Sequence, residues 1–428
     1  GGQALLSNTT GINNTAIGSN ALNSNTTGGY NTATGTQALY SNVTTSGNTA
    51  VGYTALFSVT AIGQCTAVGY QALYSCAAGG GQQTAVGYQA AANDNGGGVD
   101  AFGYQAGYNQ NGGAGSNLAV GYQSSYTSTT GYNNTGIGFR ALRQNGTGHD
   151  NTAVGAYAVH GSGTSGNPSY NCGFGLGALQ YNTGNNNVAM GYQALNLNTT
   201  ASENTAVGYQ AGYSNTGASN TAVGYVALSG NTTGTANTAM GRNAEGGVTT
   251  GSYNCAFGRQ THAQLTTGSY NVCIGHGSGE TIASGTNGIA IGYGTAHSGA
   301  AVTYELVIGT NSQVGKGSST GFISPASGAM YQGNNTTTWT TTSDQRLKKN
   351  IIDNNVGLEK ITAIQVRNFE YRLPEEVDAE LKPTDAIKKE GVQLGVIAQE
   401  LQLVLPECVK TESTGVMSVN ADNLTWYL

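Results

Sequence analysis

The sequence predicts a mainly β protein, a parallel β-solenoid of about 17-residue coils that assembles as a homotrimer, followed by a small C-terminal α+β domain. A phrase close to Asn-Thr-Ala-Val-Gly-Tyr-Gln-Ala-Leu recurs regularly through residues 1–310. Glycine supplies 68 of the 428 residues, and the charged fraction of 8% is far below the roughly 25% of an ordinary globular chain. Charge is concentrated late, with 12 charged side chains in residues 1–342 and 24 in residues 343–428.

The central glycine of each phrase, called the anchor glycine below, defines the repeat. A step of about 17 residues is too short for helical hairpin repeats, which need about 33 or more. Thr-Ala-Val and Gln-Ala-Leu flank the glycine, so each unit is predicted to hold two short strands and two turns. The anchors are Gly18, Gly35, Gly52, Gly69, Gly87, Gly103, Gly121, Gly138, Gly155, Gly175, Gly191, Gly208, Gly224, Gly241, Gly258, Gly275, Gly292 and Gly309.

Side-chain alternation along the predicted strands gives an expectation for the core. The valine before each anchor glycine and the leucine four residues after it are predicted to form one thin core, as Val51 and Leu56 would in one coil. Alanine at two positions per coil is predicted to leave a flat face of small residues. A core this thin is marginal for one chain. Three copies are therefore expected to pack together through their alanine faces.

Tyrosine follows the anchor glycine in many coils, which predicts a column of aromatic side chains. Two interpretations stay open. Such a column can bind sugars, because it offers apolar ring faces and hydroxyl groups, or it can serve as ladder packing and as a contact between chains. The residues of this possible ligand ladder are Tyr53, Tyr70, Tyr88, Tyr104, Tyr122, Tyr192, Tyr209, Tyr225 and Tyr293.

Composition argues against several classes of function. Lysine and arginine are too few and too scattered for nucleic-acid binding, and no apolar run approaches the roughly 18 residues of a membrane span. The carboxylates of the repeats fall singly, which disfavours a glycosidase pair. The five histidines are dispersed, and the six cysteines form no Cys-x-x-Cys motif. No metal site and no cofactor are expected.

The repeat phrase resembles the head repeats of trimeric autotransporter adhesins over about residues 1–310. The resemblance implies left-handed parallel β-rolls that form trimers through faces of small residues. It is specific for architecture and carries little information about a target.

The periodicity fades after residue 310, and residues 311–342 are interpreted as a transition to a second domain at 343–428. That domain opens with SDQRLKKNI, has a predicted helix at 357–365 and strand at 366–372, and continues with LGVIAQELQLVLPECV, a strand running into a helix that stops before Pro406.

SDQRLKKNI and LGVIAQELQLVLPECV, in this order, resemble the peptidase S74 family, the C-terminal intramolecular chaperone of bacteriophage tail fibres, tailspikes and neck appendages. Because that family usually continues into long C-terminal helices, the chain is expected to be truncated there. The start without Met suggests a missing N-terminal region.

The resemblance implies a chaperone that drives trimer assembly and then cuts itself off. It implies Ser343 as the nucleophile, Lys348 as the general base and Thr342–Ser343 as the cleaved bond. The residues are compatible with this chemistry, because no histidine occurs from 298 to 428 and burial or neighbouring cations can lower the pKa of a lysine. The supporting motif positions are Asp344, Arg346, Lys349 and Asn350.

The leading hypothesis is a trimeric phage tail-fibre or appendage protein for host attachment, located on the virion outside the cell. Its activity would be a single autoproteolytic cut, and no external substrate is expected. The expected partners are two further copies of the chain, a host-surface receptor that is a glycan or a surface protein, and other tail proteins bound through the missing N-terminal region. A bacterial surface trimeric adhesin is the alternative. A polysaccharide depolymerase is less favoured, because paired carboxylates are lacking.

Overall fold

A computed structural model describes residues 1–60, 63–76, 82–95, 98–110, 116–161, 167–325, 329–333, 351, 358–376, 387, 389–411, 415–420 and 424. The chain divides into two compact units, Gly1–Thr342 and Ser343–Leu428. The two units are described separately.

Short strands, one to a coil, dominate the first unit. All belong to one 20-stranded sheet. They are β1 (Thr15–Ile17), β2 (Thr32–Thr34), β3 (Thr49–Val51), β4 (Thr66–Val68), β5 (Thr84–Val86), β6 (Val99–Phe102), β7 (Asn117–Val120), β8 (Thr135–Ile137), β9 (Thr152–Val154), β10 (Cys172–Phe174), β11 (Val188–Met190), β12 (Thr205–Val207), β13 (Thr221–Val223), β14 (Thr238–Met240), β15 (Cys255–Phe257), β16 (Val272–Ile274), β17 (Ile289–Ile291), β18 (Leu306–Gly309), β19 (Gly321–Ser324) and β20 (Met330–Gln332).

Strands β1 to β19 pair in chain order, each parallel to the next. Equivalent residues lie side by side, as Ala206 does opposite Ala222. The predicted parallel β-solenoid is thereby confirmed. The parallel pairing continues past residue 310 to β19, and β20 then pairs with β19 in the antiparallel sense.

The prediction of a second strand in each coil was wrong, because Gln-Ala-Leu forms a turn. In the coil of Gly191, Gln193 and Leu195 have φ of 53° and 49°, in the left-handed region. The turn still bonds to the next coil, since the Leu195 N–H donates to the Ala211 carbonyl at 3.0 Å. Alternating left-handed residues bend the chain sharply enough to bring it back beneath the strand.

The prediction of a core of valine and leucine was correct for leucine and wrong for valine. Leucine packs with both alanines of the coil, and Ala189, Ala194 and Leu195 are at most 2% exposed. Valine points outward with threonine, because side chains alternate along a strand and the interior of this narrow coil holds only alanine opposite leucine. The alanine face predicted for trimer contact is therefore inside the coil and not on its surface.

The residues that precede the anchor glycines form an exposed row, called the outer apolar column below. From residue 17 to residue 308 the column contains no charged side chain. Its members with exposed fractions of 36% to 61% are Ile17, Val51, Val86, Phe102, Phe174, Met190, Val207, Met240, Phe257 and Ile274. Single chains rarely expose an apolar patch of this extent without a binding purpose.

Two columns of buried asparagine run along the interior. The first asparagine column is the position four before the anchor glycine, and the second is the position seven after it. Asparagine recurs at both, and other residues such as Val99 and Leu265 stand there in some coils. Asn220 Oδ1 accepts from the Asn237 N–H at 2.9 Å, and Asn237 Nδ2 donates to the Gly251 carbonyl at 2.8 Å. Asn220 Nδ2 also donates to Asn215 Oδ1 in the second column at 3.0 Å. An amide with both a donor and an acceptor satisfies the backbone groups that the turns leave buried.

The anchor glycines bring neighbouring coils into close contact. Gly191 has φ of 137°, a conformation that L side chains rarely adopt. A β-carbon on Gly191 would lie 2.3 Å from the carbonyl oxygen of Gly208 in the next coil. Glycine is therefore required here both by the backbone conformation and by the spacing of the coils.

The second unit is a small α+β module, as predicted. Its elements are α1 (Leu358–Ala363), β21 (Arg367–Phe369), β22 (Gln393–Gly395), α2 (Ala398–Val404), β23 (Val409–Thr411) and β24 (Met417–Val419), with 3-10 turns at Pro374–Glu376 and Pro406–Cys408. The pairs β21–β22 and β23–β24 are antiparallel. Leu401, Leu405 and Cys408 form its core. Within the described parts of both units, helices are too short or too polar to cross a membrane.

Replacing an anchor glycine by alanine should destabilise the solenoid through both constraints. We expect Gly191→Ala to lower the free energy of unfolding by at least about 3 kcal/mol, because backbone strain of about 1–3 kcal/mol adds to the contact with the Gly208 carbonyl. Gly317→Ala is the matched control, since Gly317 has φ of 124° but nothing within 4 Å of the added carbon. Urea titration followed by circular dichroism measures both variants. Equal losses would contradict the role given to coil spacing.

Candidate functional site

The predicted cleavage site lies outside the described residues. Ser343, Lys348 and the Thr342–Ser343 bond fall there, and so do the motif positions Asp344, Arg346, Lys349 and Asn350. The assignment of nucleophile and base stays a prediction from sequence.

The described part of the second unit holds a shallow groove of about 260 Å³. Ile364, Val396 and Leu403 line it together with Arg367 and Glu400. The guanidinium of Arg367 donates two hydrogen bonds to the Glu400 carboxylate, at 3.1 and 3.0 Å. Both side chains are more than 40% exposed, so this ion pair orients β21 against α2 and adds little to stability.

The tyrosines after the anchor glycines stack along the first unit. Five form one run, with ring centroids 5.0 to 5.4 Å apart and planes within 13° of parallel, and three form a second run with centroids 5.1 and 5.2 Å apart. Phe139 extends the first run, 5.2 Å from its neighbour. The members of the two runs are Tyr53, Tyr70, Tyr88, Tyr104, Tyr122, Tyr192, Tyr209 and Tyr225.

Stacking decides what the tyrosine column offers to a ligand. Within each run the ring faces are covered by the rings of the neighbouring coils, so these apolar faces are not available for a sugar ring to stack on. The exposed fractions of 40% to 51% belong to ring edges and hydroxyl groups. Hydrogen bonding by a row of hydroxyls is the chemistry left to this column, together with packing between rings.

Cationic residues take over the same column further along the chain. Arg242 lies over the Tyr225 ring at 5.7 Å, and Arg259 Nη1 is 2.8 Å from His276 Nε2. His276 in turn stacks on Tyr293 at 5.3 Å. In these three coils, two arginines and one histidine occupy the position after the anchor glycine, where many other coils have tyrosine.

A second aromatic column, five residues after the anchor glycine, was missed in the sequence. Tyr40 stacks on Phe57 at 5.2 Å, and Phe57 on Tyr74 at 5.1 Å. Tyr108 and Tyr126 repeat the arrangement at 5.1 Å. The same spacing of about 17 residues that revealed the first column also carries this one.

A buried carboxyl and imidazole replace leucine in the core of two adjacent coils. Glu245 and His262 each stand four residues after an anchor glycine, and both are fully buried. Glu245 Oε1 lies 3.2 Å from His262 Nδ1. The other two polar atoms, Glu245 Oε2 and His262 Nε2, have no partner in the described part of the chain. The dispersion seen in the sequence was misleading here, because residues 17 positions apart are neighbours in a solenoid.

Burial keeps this pair uncharged. Removal from water raises the pKa of Glu245 to about 8 and lowers the pKa of His262 to about 3. Nearby His297 is also fully buried, and desolvation lowers its pKa to about 4. Among the described residues, no group of three or more His, Cys, Asp and Glu side chains is placed to hold a metal ion.

The six cysteines are free. Cys65, Cys76, Cys273 and Cys408 are buried, and the other two are partly exposed. Cys65 occupies the first asparagine column and Cys76 the second, whereas Cys273 takes an alanine position of the core.

Comparison with protein families bears on the second unit. Residues 343–410 match the family model of peptidase S74, described as chaperone of endosialidase. The match begins at Ser343 and covers less than half of the chain. Comparison with curated proteins gave no match, and neither did comparison with solved structures.

The buried pair should give the first unit a distinctive dependence on pH. The unfolded Glu245 carboxyl ionises near pH 4.5 whereas the folded one keeps its proton to about pH 8, so stability falls as pH rises through this range. Unfolded His262 is protonated below about pH 6.5 and folded His262 only near pH 3, so stability also falls as pH drops through that range. Stability attributable to the pair is therefore greatest at about pH 4.5–6.5.

Thermal unfolding at pH 4, 6 and 8 tests this dependence. We expect Glu245→Leu/His262→Leu, which restores the leucine of the column, to flatten the profile relative to the unmodified protein. Glu280→Gln, at an exposed carboxylate, is the control and should leave the profile unchanged. Parallel profiles for the double variant and the unmodified protein would contradict the assignment.

Proposed function

We propose that this chain is a subunit of a trimeric bacteriophage tail fibre or appendage, located on the virion. Its C-terminal segment would act as an intramolecular chaperone for trimer assembly and then be released by cleavage of Thr342–Ser343. The observation that carries this proposal is the family match, which begins at Ser343 directly after a β-solenoid. A chaperone attached to a long repetitive fold is the combination that such a fibre requires.

The proposed cleavage uses one nucleophile and one base. The Lys348 amine takes the proton of the Ser343 hydroxyl, whose oxygen attacks the Thr342 carbonyl carbon. The carbon–nitrogen bond breaks, the lysine returns the proton to the leaving amine, and an ester links Thr342 to the serine oxygen. Water then hydrolyses the ester, which frees the Thr342 carboxylate and the Ser343 hydroxyl.

The solenoid supplies a physical reason for a chaperone. Successive coils present nearly the same residues, so two chains, or two parts of one chain, can pair one coil out of register at small cost. Such misaligned states are kinetic traps of the kind that repetitive β folds meet during folding. A terminal domain that associates first would fix the alignment, and its later removal would leave a fibre that unfolds slowly.

For the trimer contact we propose the outer apolar column in place of the buried alanines. Apart from Thr34 the column is apolar from residue 17 to residue 308, and its side chains are exposed or partly exposed in the single chain. A second copy carries the same column and matches it in length and spacing. The adjoining tyrosine column would lie at the rim, because Arg242 and Arg259 have no carboxylate partner among the described residues and burying unpaired charge is costly.

Host attachment would then use surfaces at that rim. Tyrosine hydroxyls and the cations near His276 are the polar groups available there for a host glycan or surface protein. Adsorption of virions carrying Tyr209→Phe tests the hydroxyl row, and unchanged adsorption would remove it from consideration.

A bacterial surface adhesin remains the second candidate function. The neighbouring genes discriminate the two, since a phage protein lies among tail genes and an adhesin beside a secretion locus.

Cleavage at Thr342–Ser343 is testable on the expressed protein with its complete natural C-terminus. We expect two fragments separating at that bond, whereas Ser343→Ala and Lys348→Ala should slow cleavage by about 100-fold or more, because each removes one partner of the proton transfer. Lys389→Ala, at an exposed lysine outside the motif, is the matched control and should cleave like the unmodified protein. Denaturing gels with intact-mass analysis give the readout. Full cleavage in both variants would overturn the dyad.

The trimer contact is testable by one substitution in the outer apolar column. Val207→Glu places three carboxylates in the proposed interface, where unpaired charge costs several kcal/mol, so the native mass should fall from three chains to one. Thr200→Glu, at an exposed turn position, should leave the trimer intact. Sedimentation measures the mass, and a trimeric Val207→Glu variant would exclude this column as the interface.

A further inference from the structure

Two cysteines stand in the two asparagine columns of the same coil. Cys65 is four residues before Gly69 and Cys76 is seven after it. The exposed fractions of Cys65 and Cys76 are 0% and 1%. In the other described coils these positions carry asparagine, other polar residues or apolar residues such as Val59 and Leu265, and this coil alone among them has a thiol at both positions.

The next coil shows that residues at these two positions face each other. Gln83 and Asp94 hold the equivalent places around Gly87, and Gln83 Nε2 donates to Asp94 Oδ2 at 2.7 Å. Cys76 also reaches the first column, because its Sγ lies 3.3 Å from Gln83 Oε1. The two thiols therefore face each other across the interior of the coil, and a hydrogen bond joins them.

The electrostatics of the thiols differ in the manner of a nucleophile and its partner. A hydrogen bond with Cys76 lowers the pKa of Cys65 to about 7, in spite of its burial, and the same contact raises the pKa of Cys76. The lowered pKa favours the thiolate of Cys65, and the thiolate is the form of cysteine that reacts with an oxidant. Gln64, the adjacent residue, is exposed, so Cys65 lies just beneath the surface.

We propose that Cys65 and Cys76 are a redox pair that a peroxide converts to a disulfide closing one coil of the solenoid. The Cys65 thiolate attacks one peroxide oxygen, the oxygen–oxygen bond breaks, and Cys65 becomes a sulfenic acid while hydroxide leaves. The Cys76 sulfur then attacks the Cys65 sulfur, and the hydroxyl of the sulfenic acid leaves and takes up the proton of Cys76 as water. One peroxide is reduced to two waters, and two thiols are oxidised to one disulfide.

The disulfide would stabilise the coil by restricting the unfolded chain. It links residues 65 and 76, so the unfolded segment between them loses much of its freedom. Disulfides persist outside the reducing cytosol, which means that the bond would form after the protein leaves the cell. This inference does not depend on the cleavage site or on the trimer contact.

Mass spectrometry of the full chain tests the proposal. The reduced protein is treated with hydrogen peroxide, denatured, alkylated and digested. We expect the peptides of Cys65 and Cys76 to be linked and lighter by two hydrogen atoms, while Cys172 and Cys255 stay alkylated. A phosphine reductant should restore both thiols, and the urea midpoint of the oxidised protein should exceed that of the reduced one.

Two variants keep the test decisive. Cys65→Asn restores the residue of the first asparagine column, so it should fold and leave Cys76 as a free, alkylated thiol after peroxide. Cys172→Ser is the matched control and should leave the link unchanged. Alkylation of both Cys65 and Cys76 in the peroxide-treated unmodified protein, or separate over-oxidation of each without a link, would overturn the proposal.

Discussion

The close approach of anchor glycines in successive coils is the constraint on which the rest of the first unit depends. Each anchor from Gly18 to Gly292 lies so near the carbonyl of the next that no β-carbon fits between them, and its positive φ turns the chain from the strand into the left-handed turn. Because the anchors are fixed one above another, equivalent residues on both sides of them align as well. The register of the strands, the columns and the narrow core all follow from this contact.

Because equivalent residues of successive coils are aligned, a side chain at a given repeat position contacts the side chains at the same position in the two adjacent coils. Asparagine in the two interior columns satisfies buried backbone groups of the adjoining coils, and tyrosines stack with their faces covered. The same rule brings Glu245 to His262, at the core position that leucine occupies in many other coils. A single unusual residue therefore alters two interfaces, one with the preceding coil and one with the following coil.

Much of this fold was predictable from the sequence, because a regular glycine with β-branched residues before it indicates a stacked repeat. The orientation of the side chains was not. Gln-Ala-Leu contains good helix formers and none of the residues typical of turns, and only the positive φ of Gln193 and Leu195 shows that it is a turn. Once that segment bends inward, its leucine fills the interior and leaves no room for Val207, which is why valine is outside. The Glu245–His262 pair is not evident in the linear sequence, because the two residues are 17 positions apart. That distance is one coil, so stacking makes them neighbours.

The in-register stacking has a consequence for how the length of such a protein can change over generations. A whole coil begins and ends at equivalent backbone positions, so removing or duplicating one unit of coding sequence would join surfaces that already fit. Deletions of other lengths would displace every following column unless a loop absorbed them, as loops do in this chain, where the step between anchors ranges from 16 to 20 residues. Recombination between the near-identical repeats would therefore add or remove whole coils. The solenoid can lengthen or shorten by one coil at a time while its fold stays the same.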